Sequence, residues 1–105
     1  MTEKRVMEYL SGYTNMRELS LRAAPPDWKY RLSLRLENKI GGERQVDFMD
    51  VSGVSLKEIG GGMTQFMLLK IEDVSKYQLD RIQYKISEIE HGRTSFSCQA
   101  LKISN

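Results

Sequence analysis

The residues of this chain that could do chemistry are few, and most fall close together: Glu88, Glu90 and His91, with Cys98 a little further on. Two carboxylates this near each other can work as an acid–base pair if a cleft raises the pKa of one. The same spacing also suits a solvated strand end or an acidic rim for a basic partner, and the solvated end is the favoured reading. Nucleophilic catalysis would need Cys98 activated by His91. At ~3.3 Å per residue along a strand the two lie more than ~15 Å apart. Cys98 therefore reads as a small core residue and His91 as a turn residue. A zinc site takes about four Cys, His or acidic ligands at suitable spacing, whereas this chain has one His and one Cys. No metal and no cofactor is expected. Gly60-Gly61-Gly62 lacks the Lys-Ser/Thr of a phosphate loop and precedes a strand pattern instead of a helix, so it reads as a flexible connection.

The balance of charge narrows the partner. Sixteen Lys and Arg face 14 Asp and Glu, for a net charge of +2, and the signs are interspersed. A nucleic-acid binder concentrates positive charge on one face, so nucleic acid is not an expected partner. Lys29-Tyr30-Arg31 interleaves an aromatic with cations, but strand alternation turns Tyr30 away from both. No apolar run approaches the ~18–20 residues a membrane-spanning helix needs. The opening residues carry no apolar signal-peptide core, and one cysteine rules out an intrachain disulfide framework. These features point to a cytoplasmic protein with no membrane role.

The elements that must position such residues are mainly strands. Thr2 to Leu10 predicts a short N-terminal helix within residues 2–11, with Val6, Met7 and Leu10 on one face and Gly12 as its stop. From Met16 to residue 103 the apolar period is two. Arg17–Arg22 and Lys29–Glu37 alternate around the turn Ala24-Pro25-Pro26-Asp27, a hairpin with the even positions of its second strand inward. Arg44–Val51 continues with Val46 and Phe48 inward, Ser52-Gly53 bends the chain, and Val54–Ile59 follows. Met63–Glu72 is apolar on both faces and predicts a central strand. Asp73–Asp80 could make one helical turn capped by Asp73 or Ser75. In the last hairpin a three-residue loop, Glu90-His91-Gly92, sets Tyr84 opposite Cys98, Ile86 opposite Phe96 and Ile82 opposite Ala100. A two-residue loop would oppose apolar and polar residues, so the longer loop is favoured. The chain thus reads as one all-β, mainly antiparallel domain over residues 1–105, an about seven-stranded sandwich or partly open barrel with a short N-terminal helix.

Three segments carry a resemblance: Leu69-Lys70-Ile71-Glu72-Asp73-Val74, Tyr84 to Glu90, and Ser95-Phe96-Ser97-Cys98. In these the C-terminal third resembles small bacterial β domains of the immunity-protein type. The resemblance implies a non-enzymatic cytosolic protein that binds one protein partner, and it supplies no catalytic motif. The residues expected to serve binding are Trp28, Tyr84, Glu88, Glu90 and His91. For Trp28, just after the Pro-Pro turn, capping the core is favoured over anchoring a partner. Two other functions stay open: a small-molecule binder with a cavity lined by Phe66, Met67 and Tyr84, and an enzyme using Glu88 and Glu90. Pairing of two copies through a sheet edge is a further expectation.

Overall fold

A computed structural model describes residues 3–57, 69–77, 82–88 and 94–104. The helix α1 spans Glu3–Tyr9. The strands are β1 (Asn15–Ala24), β2 (Lys29–Glu37), β3 (Glu43–Met49), β4 (Ser52–Leu56), β5 (Leu69–Asp73), β6 (Tyr84–Glu88), β7 (Thr94–Cys98) and β8 (Ala100–Ser104). They form two four-stranded antiparallel sheets, ordered β1-β2-β3-β8 and β4-β7-β6-β5, and no closed barrel.

Alternation builds the core as expected. Leu32, Leu34 and Leu36 from β2 and Val46 and Phe48 from β3 are buried on one side; Ile86, Phe96 and Cys98 are buried on the other. The Phe48 and Phe96 rings meet edge to face across the two sheets, with centroids 4.8 Å apart, the arrangement the ring quadrupoles favour. The last hairpin has the register of the longer loop, Tyr84↔Cys98 and Ile86↔Phe96, leaving Lys85, Ser87, Ser95 and Ser97 on its outer face.

The sheets are joined where two strands bend together. β3 leaves the first sheet at Asp50, whose φ of 56° lies in the left-handed region, and becomes β4 in the second. Beside it β7 ends at Cys98, Gln99 donates its N–H to the Met49 carbonyl at 2.9 Å, and β8 starts in the first sheet. The bend explains three departures from expectation. The described residues hold eight strands, because the last splits at Gln99. Ala100 pairs with Met49 and not with Ile82. The turn expected at Ser52-Gly53 comes earlier, at Asp50, while Gly53 (φ 63°) lies in β4 where the pairing with β7 shifts register.

Of the long apolar segment Met63–Glu72, the described residues correct the central position expected of it. β5 lies at the end of its sheet and is paired with β6, with Ile71 buried and Lys70 and Glu72 exposed. Its inner side is served by α1, which packs against β5 and β8, the edges of the two sheets, and buries Val6 and Leu10. Gly12, at φ 85°, ends the helix in the conformation that L-residues avoid. Arg44 of β3 holds this end in place: its guanidinium lies 4.6 Å from the Tyr9 ring centroid and 4.5 Å from that of Tyr13, and it donates to the Tyr9 carbonyl. The expected turn after β5 is a 3-10 helix, Ser75–Tyr77, capped by Asp73. Its Oδ1 accepts from the Ser75 hydroxyl at 2.6 Å and the Ser75 N–H at 2.9 Å, and these bonds hold the carboxyl below its ordinary 3.8. The triglycine lies outside the described residues.

Candidate functional site

The β1–β2 hairpin is longer than the sheet that supports it. β2 pairs with β3 from Glu37↔Glu43 to Arg31↔Met49, and there β3 turns away at Asp50. β1 and β2 continue through Ala23↔Tyr30 and Ala24↔Lys29 to the turn. Val51 still reaches β2, donating its N–H to the Tyr30 carbonyl at 3.0 Å, and past that bond the hairpin end overhangs. Apolar side chains of the inward row toward this end, on β2 and on the outermost strand β1, are exposed. Tyr30 falls in the inward row by parity yet is 49% exposed, and Leu21 is 41% exposed. The alternation of Tyr30 was legible in the sequence; the end of its cover was not.

The turn carries Trp28. Its N–H donates to the Ala24 carbonyl at 2.9 Å, closing the loop, and its φ of 57° is one a bulky L-residue adopts only at a cost. The Pro25–Pro26 bond in this loop is cis. The Trp28 side chain is 63% exposed, which overturns the core-capping role. Asp27 and Lys29 flank it as a local pair: the carboxylate accepts the Lys29 N–H at 3.2 Å and its other oxygen lies 3.8 Å from Nζ.

On the outer face of the hairpin end is an open cleft of ≈ 400 Å³. Arg22 and Arg31 lie directly opposite each other across the strands, Met49 continues the row, and Asp50 and Gln99 from the bend close one side. Both arginines are exposed, and neither has an ion-pair or hydrogen-bond partner among the described residues. Further along the same face the charges are matched. Glu18 Oε2 and Arg35 Nη2 are 2.9 Å apart, Arg17 reaches Glu37 and Glu43 at 3.7 and 3.8 Å, and Asp47 accepts from Ser33 and Gln45 at 2.7 and 3.1 Å. A second, smaller cleft, ≈ 280 Å³, lies on the outer face of the other sheet between Glu72, Lys85 and the serines of β6 and β7.

The remaining residues expected to serve binding are not gathered here. Tyr84 and Glu88 face the core, 8% and 1% exposed, and neither lines these clefts; Glu90 and His91 lie outside the described residues. Burial raises the Tyr84 phenol above its ordinary 10.0, with the negative charges of Asp73 and Glu3 adding to it. Glu88, buried at 1% exposure, is not placed to form an acidic rim. Thr94, equally buried, has a hydroxyl with no hydrogen-bond partner among the described residues. Cys98 is enclosed, and burial pushes its thiol up to about 12, the opposite of what a nucleophile needs. Among the described residues no cluster of three or more His, Cys, Asp and Glu could hold a metal ion, and no helix is long and apolar enough to cross a membrane.

The hairpin end gathers exposed side chains of the kinds that count at interfaces. Tryptophan, tyrosine and arginine are the side chains in which binding energy concentrates at protein interfaces. Trp28, Tyr30, Arg22 and Arg31 occur together on it, carried by a hydrogen-bonded ladder. The sequence singled out Trp28 alone; the signal for the others is an unbroken hairpin pattern facing a third strand whose alternation slips phase, from Phe48 to Val51. No curated protein and no solved structure matches the chain. The family model for immunity protein PIM8 matches residues 2–104, nearly the whole length, and the chain belongs to that family of immunity proteins.

Proposed function

We propose that the chain is a non-enzymatic immunity protein that neutralises a partner toxin by binding it, with the overhanging end of the β1–β2 hairpin at the centre of the interface. The observation that carries this reading is Trp28, held 63% exposed at the tip of a paired hairpin. A large aromatic in that position does nothing for the core, and its left-handed backbone is unfavourable. A rigid, solvent-facing aromatic beside Tyr30 is what a partner's pocket would take up. Membership of an immunity-protein family names the class of partner. A single thiol, buried and held protonated, suits action in the cytoplasm.

The test is co-expression with the toxin encoded beside this chain's gene, scored by cell survival, together with the Kd measured on purified proteins. Trp28→Ala is expected to weaken binding by about 30-fold or more, the mark of a residue worth ~2 kcal/mol. The variant should keep the wild-type circular dichroism. Undiminished affinity of Trp28→Ala and Tyr30→Ala would remove the hairpin end from the interface.

A further inference from the structure

The Arg22–Arg31 pair says something about the partner's chemistry. Like charges directly opposite each other across an antiparallel pair repel, and such pairs weaken a sheet. Elsewhere on this face the chain supplies a carboxylate for the guanidinium, as Glu18 does for Arg35. At the hairpin end neither arginine has a carboxylate partner among the described residues: Asp27 of the turn is engaged with Lys29, and Asp50, which also lines the cleft, is 7% exposed and has interactions of its own. Two exposed arginines at paired backbone positions, both lining an open cleft, carry planar donor forks suited to bidentate capture of carboxylate oxygens.

Resting on the immunity reading, we infer that Arg22 and Arg31 are the contact site for an acidic patch of the partner protein, which supplies carboxylates to two guanidiniums that have no ion-pair partner among the described residues. Trp28 and Tyr30 fill the apolar part of the same interface, and the arginine pair fixes orientation and speeds encounter. A polyanion such as nucleic acid fits the cleft less well. The chain's net charge is only +2 and its charges are interspersed along the sequence, whereas a polyanion binder concentrates positive charge over a long surface.

The experiment measures binding of the full chain to a purified toxin-domain protein encoded in its genomic neighbourhood, at 50 and 500 mM NaCl. The wild type should bind less tightly at high salt. Arg22→Glu should lose at least ~10-fold in affinity at low salt and show a flattened salt dependence. Arg31→Glu repeats the test from the other strand. Because each reversal replaces a like-charge pair by an opposite one, the variants should melt no lower than wild type, which separates loss of contact from loss of fold. Charge reversal of the toxin's acidic residues should restore binding to Arg22→Glu. A toxin that wild-type chain does not bind overturns the immunity reading. A toxin bound equally by wild type, Arg22→Glu and Arg31→Glu overturns the arginine assignment alone. So does arginine-dependent binding of a 20-base-pair DNA duplex at physiological salt, which would assign the pair to nucleic acid.

Discussion

The two ends of the β1–β2 hairpin are built from the same alternating pattern and end in opposite physical states. At the Asn15–Glu37 end, β3 lies alongside, the inward leucines are buried, and guanidiniums face carboxylates. Toward the Ala24–Lys29 end the third strand turns away after Arg31↔Met49, and Tyr30, with Leu21 of the outermost strand β1, is exposed. There arginine faces arginine at the last β2–β3 pair, and a tryptophan occupies a left-handed backbone position. Each choice at the first end agrees with the fold, whereas several at the second conflict with it. Such local conflict is what a sequence shows where a surface is kept for something other than folding. The two ends should accordingly respond in opposite ways to substitution.

The largest contrast lies in the inward row. Leu34, 1% exposed between Leu19 and Val46, should cost ~2–5 kcal/mol as Leu34→Ala, by lost burial and an unfilled cavity. Leu21, on the same strand pair and 41% exposed, should cost within ~0.5 kcal/mol as Leu21→Ala. Urea unfolding of the two variants measures both; equal losses would mean that the hairpin end is covered after all.

Alkali should act on the covered core, where both raised groups lie. The folded Cys98 thiol keeps its proton up to about 12, whereas the unfolded thiol loses it near its ordinary 9.0. Between these values the native state binds more protons than the unfolded state, so stability is full below about pH 9 and falls as pH rises through the window. The raised Tyr84 phenol adds a loss of the same sign above its ordinary 10.0. One proton corresponds to at most about 1.4 kcal/mol per pH unit. Urea midpoints between pH 8 and 11 should decline, less steeply for Cys98→Ala.

Trp28→Gly should make the chain more stable, by about 1 kcal/mol. Glycine adopts a φ near 57° without the steric cost that an L-side chain incurs, and a 63% exposed indole loses little packing. A rise in Tm accompanied by loss of toxin binding would show Trp28 retained against the interest of the fold. A fall in Tm would mean that the indole packs usefully on the turn.

How much of this was legible follows from what alternation can and cannot encode. The register of Tyr84↔Cys98 and Ile86↔Phe96 was readable, because a one-residue slip would have exposed every apolar side chain of that hairpin. A cap at Asp73 or Ser75 was readable as a local signal, and the structure selects Asp73, whose carboxylate accepts from Ser75. The crossing of strands between sheets was not read, although it leaves a trace: inward parity changes from Phe96 and Cys98 to Leu101 and Ile103, and from Phe48 to Val51. Period two says which side of a strand is apolar but not how far the opposing sheet extends. That is why Tyr30 and Trp28 were assigned to the core side. The same limit hid Arg22 and Arg31, since pairing two arginines requires the register of a hairpin whose turn length was unknown.

The smallest expected effects are mirror images and test the comparison most directly. Glu18→Gln removes the partner of Arg35 at the matched end and should cost ~0.2–1 kcal/mol, the usual worth of an exposed pair. Arg22→Glu places a carboxylate opposite Arg31 at the unmatched end and should gain a similar amount. Both effects are Coulombic between exposed groups, so both should shrink toward zero in ~1 M NaCl, where the Debye length falls to about 3 Å. Urea, being uncharged, is the denaturant for the measurement. Opposite signs that vanish together in salt would establish that one end of the hairpin is electrostatically complete and the other is not. A loss from Arg22→Glu that persists in salt would instead mean that the arginine stem packs on the sheet, and the two ends would then differ in exposure alone.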